Sequence, residues 1–192
     1  MKLLRVTCCL LVLLLSLVAF AFVAVQPALA TFPGQNGRIA FVRFIHDTGS
    51  TQLFTINPDG SDARQLTDLG GANVGDPDWF PDGTKIAFDS DLAGNVRIFT
   101  INADGTGFTQ ITSGSGFEGY PSWSPDGTHI AVDGDSEDGL PQGIFIADVA
   151  TGDLTPVTVN PYGEFDTQPQ YSPDGTQITF TRVKNSQCVG SV

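Results

Sequence analysis

The feature that most limits how this chain can fold is a short signal that occurs three times. It reads DPDWFPDGTKIAF at residues 76–88, YPSWSPDGTHIAV at 120–132 and QPQYSPDGTQITF at 168–180. Its Pro-Asp-Gly centre makes a tight turn: proline presets φ, aspartate bonds back to the backbone, and glycine takes φ > 0. The aromatic and β-branched runs on either side read as two antiparallel strands. A second signal alternates with the first, as LFTINPDGSDARQLT at 53–67, IFTINADGTGFTQIT at 98–112 and IFIADVATGDLTPVT at 144–158. Each of these is a strand, a turn and another strand.

Ile86, Ile130 and Ile178 are spaced by 44 and 48 residues, and Phe54, Phe99 and Phe145 by 45 and 46. A four-stranded unit recurring at about that period is the mark of β-propeller blades. Ile39-Ala40-Phe41 aligns with Ile86-Ala87-Phe88, so the chain enters its first unit at that unit's second strand. The predicted blades cover about 38–67, 76–112, 120–158 and 168–183, the last with only its first two strands. The expected fold is all-β, a partial, open propeller of about three and a half four-stranded antiparallel blades. No window after residue 30 keeps a 3.6-residue apolar period, so almost no helix is expected. Trp79, Trp123 and Tyr171 share one place in the repeat, which favours packing between neighbouring sheets over a stacking platform.

Trp123-Ser124-Pro125-Asp126-Gly127, Ile86-Ala87-Phe88 and the endings Gln65-Leu66-Thr67 and Gln110-Ile111-Thr112 resemble the TolB-like family of propeller repeats. The resemblance covers about residues 38–183. It implies blades that serve as binding platforms or as accessory domains of peptidases. Closed propellers use four to eight blades, so this chain is not expected to close by itself. Self-association through the open blade ends, or else marginal stability of the isolated chain, is expected instead.

Lys2 and Arg5 precede an apolar run that ends before Ala28-Leu29-Ala30, which reads as a secretory signal peptide over residues 1–30, cleaved before Thr31. A periplasmic or secreted location follows, with membrane contact only through an uncleaved signal. The net charge is −12, and losing the leader removes two cations, so nucleic acid and anionic membrane surfaces are disfavoured as partners. Of three cysteines only Cys188 lies outside the leader.

The loops that differ between repeats lie on one face and the invariant turns on the other, and variable loops on a rigid scaffold are where binding resides. The candidate partner-binding residues there are Asp91, Phe117, Glu118, Tyr162, Glu164 and Asp166, facing a protein or peptide with a basic surface. The densest acidic loop offers Asp133, Asp135 and Asp138 as Ca²⁺ ligands. Its glycine spacing and its ending at Ile144 do not match an EF-hand, and a solvated hairpin loop is the preferred reading. No cofactor is otherwise expected.

No G-x-S-x-G surrounds any serine, and the chain holds two histidines, His46 and His129. Neither is placed beside a nucleophile by any motif. The chain is therefore expected to be a non-catalytic binding module. The competing reading is the front part of a longer enzyme, such as the propeller of a prolyl-oligopeptidase-type peptidase or of a carbohydrate-active protein.

Overall fold

The computed structural model describes residues 37–113, 116–135, 142–158, 160 and 164–184. The expected signal peptide at 1–30 lies outside them. The described residues are all-β, with no helix among them, and form four antiparallel sheets. The first holds β1 (Ile39–Ile45), β2 (Ser50–Ile56) and β3 (Arg64–Gln65). The second holds β4 (Val74–Trp79), β5 (Lys85–Ser90), β6 (Arg97–Asn102) and β7 (Thr109–Gln110). The third holds β8 (Phe117–Trp123), β9 (His129–Asp135), β10 (Gly143–Asp148) and β11 (Leu154–Pro156), and the fourth holds β12 (Glu164–Tyr171) and β13 (Ile178–Lys184). Each sheet is a meander, and the set is a partial propeller.

The two repeated signals map onto hairpins with fixed register. Trp79 faces Ile86, Trp123 faces Ile130, and Tyr171 faces Ile178 across the first two strands of their sheets. The Ser-Pro-Asp-Gly turns are held by side chains. Asp126 Oδ1 accepts from Ser124 Oγ at 2.7 Å and from the Thr128 amide at 3.0 Å, while Ser124 Oγ accepts the His129 amide at 3.0 Å. Asp174 repeats this with Ser172 and Thr176. At 80–84 phenylalanine replaces the serine, and Asp82 is left with the Thr84 amide at 2.8 Å.

The Leu-Thr endings also have a mechanical purpose. Thr67, Thr112 and Thr158 each present Oγ1 to an amide of the third strand: Leu53 at 2.9 Å, Ile98 at 3.1 Å and Ile144 at 2.9 Å. This clips a fourth strand of only two or three residues, such as β7, to its neighbour.

The core lies between sheets. One cluster gathers Leu53, Val74, Ile86, Phe88, Phe99 and Ile101, with Trp79 against it; a second gathers Ala87, Ile98, Trp123, Ile130, Val132 and Phe145. At Trp79 and Trp123 the aromatic position is thus core packing, with Phe80 meeting Trp123 edge-on at 4.9 Å.

Candidate functional site

The innermost strands β4, β8 and β12 share an irregularity. Asp76, Tyr120 and Gln168 all have positive φ, at 41°, 51° and 55°, and each precedes a proline. At each the register with the second strand shifts. A bulge of this kind re-aims backbone amides. Here they point at the preceding sheet: the Tyr120 amide donates to Asp89 Oδ2 at 3.2 Å. One step along, the Trp123 amide donates to Asp78 Oδ2 at 2.8 Å and the Tyr171 amide to Ser122 Oγ at 3.1 Å.

Asp89 and Asp133 occupy the same place in β5 and β9, opposite Gly75 and Gly119. Those glycines make room for them. A Cβ on Gly75 would stand 2.5 Å from Asp89 Oδ1, and one on Gly119 would stand 3.3 Å from Asp89 Oδ2 and 3.4 Å from Asp133 Oδ1. The two carboxylates therefore flank a single glycine. Asp133 Oδ2 accepts from Thr167 Oγ1, while its Oδ1 is buried with no partner among the described residues.

Burial dominates the acid strength of this group. It pushes Asp89 up to about 7, with the neighbouring charges of Asp76 and Asp133 adding to the rise against the Tyr120 amide. Asp78 is pushed up to about 6 by burial, opposed by its bond to the Trp123 amide. Asp76 and Asp133 are raised by burial too.

Asp76 and Asp78 also line an open cleft of about 580 Å³. Its other walls are the edge of β1 at Ala40, Phe41 and Val42, and Tyr120 and Gln168 with their prolines. Sequence reasoning passed over Asp76 and Asp78 because they lie inside a strand signal, and Asp89 because it directly follows one. The clue was available: Asp78 and Ser122, like Asp89 and Asp133, keep one place in the repeat, where a hydrophobic strand residue would serve for packing alone.

The residues singled out from the sequence are distributed differently. Asp91 receives the Asn73 amide at 2.6 Å and the Asn73 side chain at 2.8 Å, joining two neighbouring loops. Phe117 is half-buried and donates its amide to Asp135 Oδ1. Glu118 is 2% exposed, paired with Arg97 at 2.8 Å and receiving Thr112 Oγ1 at 3.0 Å, so its carboxylate faces inward. Burial raises its pKa against the lowering effect of Arg97. Asp166 is buried and gripped by Arg182 through two bonds of 2.7 and 2.8 Å, which lower its pKa. Glu164 stays half-buried near Lys184, 3.4 Å away. Tyr162 lies outside the described residues.

Of the Ca²⁺ candidates, Asp133 points to the neighbouring sheet and Asp135 to the Phe117 amide, while Asp138 lies outside the described residues. Among the described residues no three acids, histidines or cysteines are grouped to hold a metal ion. His46 meets Phe44 edge-on at 5.2 Å, and His129 Nδ1 shares a 2.6 Å hydrogen bond with Thr128.

No family model matches the chain, and no curated protein matches it. Solved structures do. The crystal structure of TolB from Acinetobacter baumannii matches with a TM-score of 0.61 at 25% identity, over 81% of this chain and 41% of that one. The putative TolB from Agrobacterium tumefaciens gives 0.62 at 20% identity, over 76% of this chain and 55% of that one. A puromycin-hydrolyzing peptidase of Mycobacterium tuberculosis gives 0.57 at 18% identity, over 82% and 27%. The chain thus spans about half or less of the structures it matches, and the TolB-like propeller fold signalled by its motifs is the fold it has.

Proposed function

We propose that this chain is a non-catalytic TolB-like propeller module, periplasmic or secreted, whose loop face holds a protein or peptide with a basic surface. The observation that carries this reading is the way the loops of that face are pinned from below. Asp91 ties its loop to Asn73, Gln52 Nε2 donates to the Ala72 carbonyl at 3.0 Å, and Ser50 Oγ donates to the Gly70 carbonyl at 2.8 Å. Further along, Arg97 reaches the Gly116 carbonyl, and Arg182 with Asn160 bridges to the Gln142 carbonyl. Loop residues held in this way before contact avoid part of the entropy cost of binding. The chain's net charge of −12 favours basic partners and speeds encounter with them.

The test is a peptide-display selection on the immobilised chain. The expected binders are rich in Lys and Arg, release at 1 M salt, and bind more weakly to the Asp91→Asn, Glu164→Gln double variant. Binders with no charge preference, or binders untouched by the double variant, would sink this reading. A fluorophosphonate probe is expected to label no serine, since none has an activating base.

A second reading rests on the peptidase match: the chain is the propeller portion of a longer hydrolase. A reading frame that continues past Val192 into a hydrolase domain would establish it.

A further inference from the structure

The first sheet differs from its neighbours in one respect that bears on partners. Among the described residues β1 is bonded to β2 alone, whereas β5 and β9, its counterparts, are each covered on the other edge by an innermost strand. Ile86 and Ile130 are 0% exposed, and Ile39 in the same place is 51% exposed. Val42 is 39% exposed and Phe44 52%, whereas Asp89 and Asp133, the counterparts of Val42, are buried. This edge is seven residues long and rich in apolar side chains, and Ala40, Phe41 and Val42 of it border the cleft. A long, unpaired, apolar edge is a template for another strand.

We propose that the β1 edge is a strand-accepting site, distinct from the loop face, that takes an extended, basic, proline-containing segment of a partner polypeptide antiparallel to β1. The register comes from the sister sheets. There an aromatic residue faces Ile86, Ile130 and Ile178, so the incoming strand places an aromatic residue opposite Ile39. Gly75 and Gly119 face Asp89 and Asp133, so it places a small residue opposite Val42. A proline lies two residues before each aromatic, at Pro77, Pro121 and Pro169. Charge decides the remainder: the open cleft beside the edge carries Asp76 and Asp78, and cationic side chains on the incoming strand are complementary to them.

A second copy of the chain is a poor occupant. The fourth sheet offers a first and a second strand, and the first sheet already has its second, so joining them would duplicate one strand and leave the rest unmatched. The chain's own Phe32 stands seven residues before Ile39, the spacing of Trp79 from Ile86. A Phe32→Ala variant tests that segment as an occupant.

The experiment uses the chain expressed with its own leader, and the capped hexapeptide Val-Gly-Lys-Pro-Lys-Trp, read by amide shifts of residues 39–45. The expected result is binding at least tenfold tighter than that of Val-Gly-Asp-Pro-Asp-Trp, lost when the peptide backbone is N-methylated. It is also expected to be lost in Ile39→Lys and, independently, in Val42→Lys, both at exposed positions that spare the fold, and unchanged in Asp91→Asn. Equal binding of the two peptides, or of the N-methylated one, overturns the proposal. So does sedimentation showing a dimer that Ile39→Lys dissociates, which would make a second copy the occupant. Peptide binding that appears only in Phe32→Ala would make the chain's own segment the occupant and overturn it equally. Loss of the loop-face selection with the hexapeptide still bound would refute the loop-face reading alone.

Discussion

The Asp89 carboxylate reaches out of its own sheet and accepts the amide hydrogen of Tyr120 in the next, at 3.2 Å. Tyr120 presents that amide because its φ is 51°, a conformation unfavourable for a bulky side chain. Strain in one sheet is thus matched by a carboxylate from the one before. The acid is held where charge is costly, so the junction responds to pH.

The folded chain keeps a proton on Asp89 up to about pH 7, while the unfolded chain releases it near 3.8. A raised carboxylate of this kind contributes stability that is full below about pH 4 and lost as pH rises through about 7. Asp89→Asn keeps an acceptor for the Tyr120 amide and carries no charge. Relative to the parent, it is expected to gain stability between pH 5 and pH 8, by at most about 3 kcal/mol, in urea titrations. Parallel pH profiles for the two proteins would contradict this.

The Ser-Pro-Asp-Gly turns respond in the opposite sense. Asp126 is lowered to about 2 chiefly by the Thr128 amide, and Asp174 to about 2 chiefly by Ser172. Depressed carboxylates contribute stability above the unfolded pKa and lose it as pH falls through about 2. The Asp126→Asn, Asp174→Asn double variant is expected to show a shallower fall in melting temperature between pH 4 and pH 2. An unchanged acid limb would show that these turns do not sense pH.

Trp123 is 3% exposed and seated between the second and third sheets. Trp123→Ala leaves a cavity and is expected to cost about 3–5 kcal/mol. Its buried indole N–H has no hydrogen-bond partner among the described residues, so Trp123→Phe forfeits packing alone. The expected cost there is about 1 kcal/mol. Equal losses in the two variants, measured by denaturant unfolding, would mean that the indole N–H is bonded after all.

Thr112 bonds the Ile98 amide and the Glu118 carboxylate at once. Thr112→Val strips both and leaves a buried amide unpaired, at an expected cost of about 1–3 kcal/mol. The same change at the exposed Thr109 should stay within about 0.5 kcal/mol, which separates the buried clip from a general effect of losing a hydroxyl.

The hairpins were legible in the sequence because each turn carries its own chemistry: Pro125, Asp126 and Gly127 act within five residues of one another. The period was legible because Trp79, Trp123 and Tyr171 meet the same packing demand. What was hidden were bonds across about 31 to 49 residues, as from Asp89 to Tyr120 or from Ser122 to Tyr171. Nothing local in Asp89 distinguishes a carboxylate turned to the next sheet from one facing water. Glu118 shows the converse: an acid in a variable loop reads as surface, yet Arg97, 21 residues earlier, draws it inward.

The fourth strands are two or three residues long, each fastened by its threonine. An edge that short cannot template a cross-β ladder, so the outer rim of the first three sheets resists fibril growth even in a crowded compartment. Among the described residues, growth by strand addition can begin at either end of the arc, on the free edges of the seven-residue strands β1 and β13. Capacity to assemble therefore sits at the ends of the arc, and the short outer strands between them terminate it.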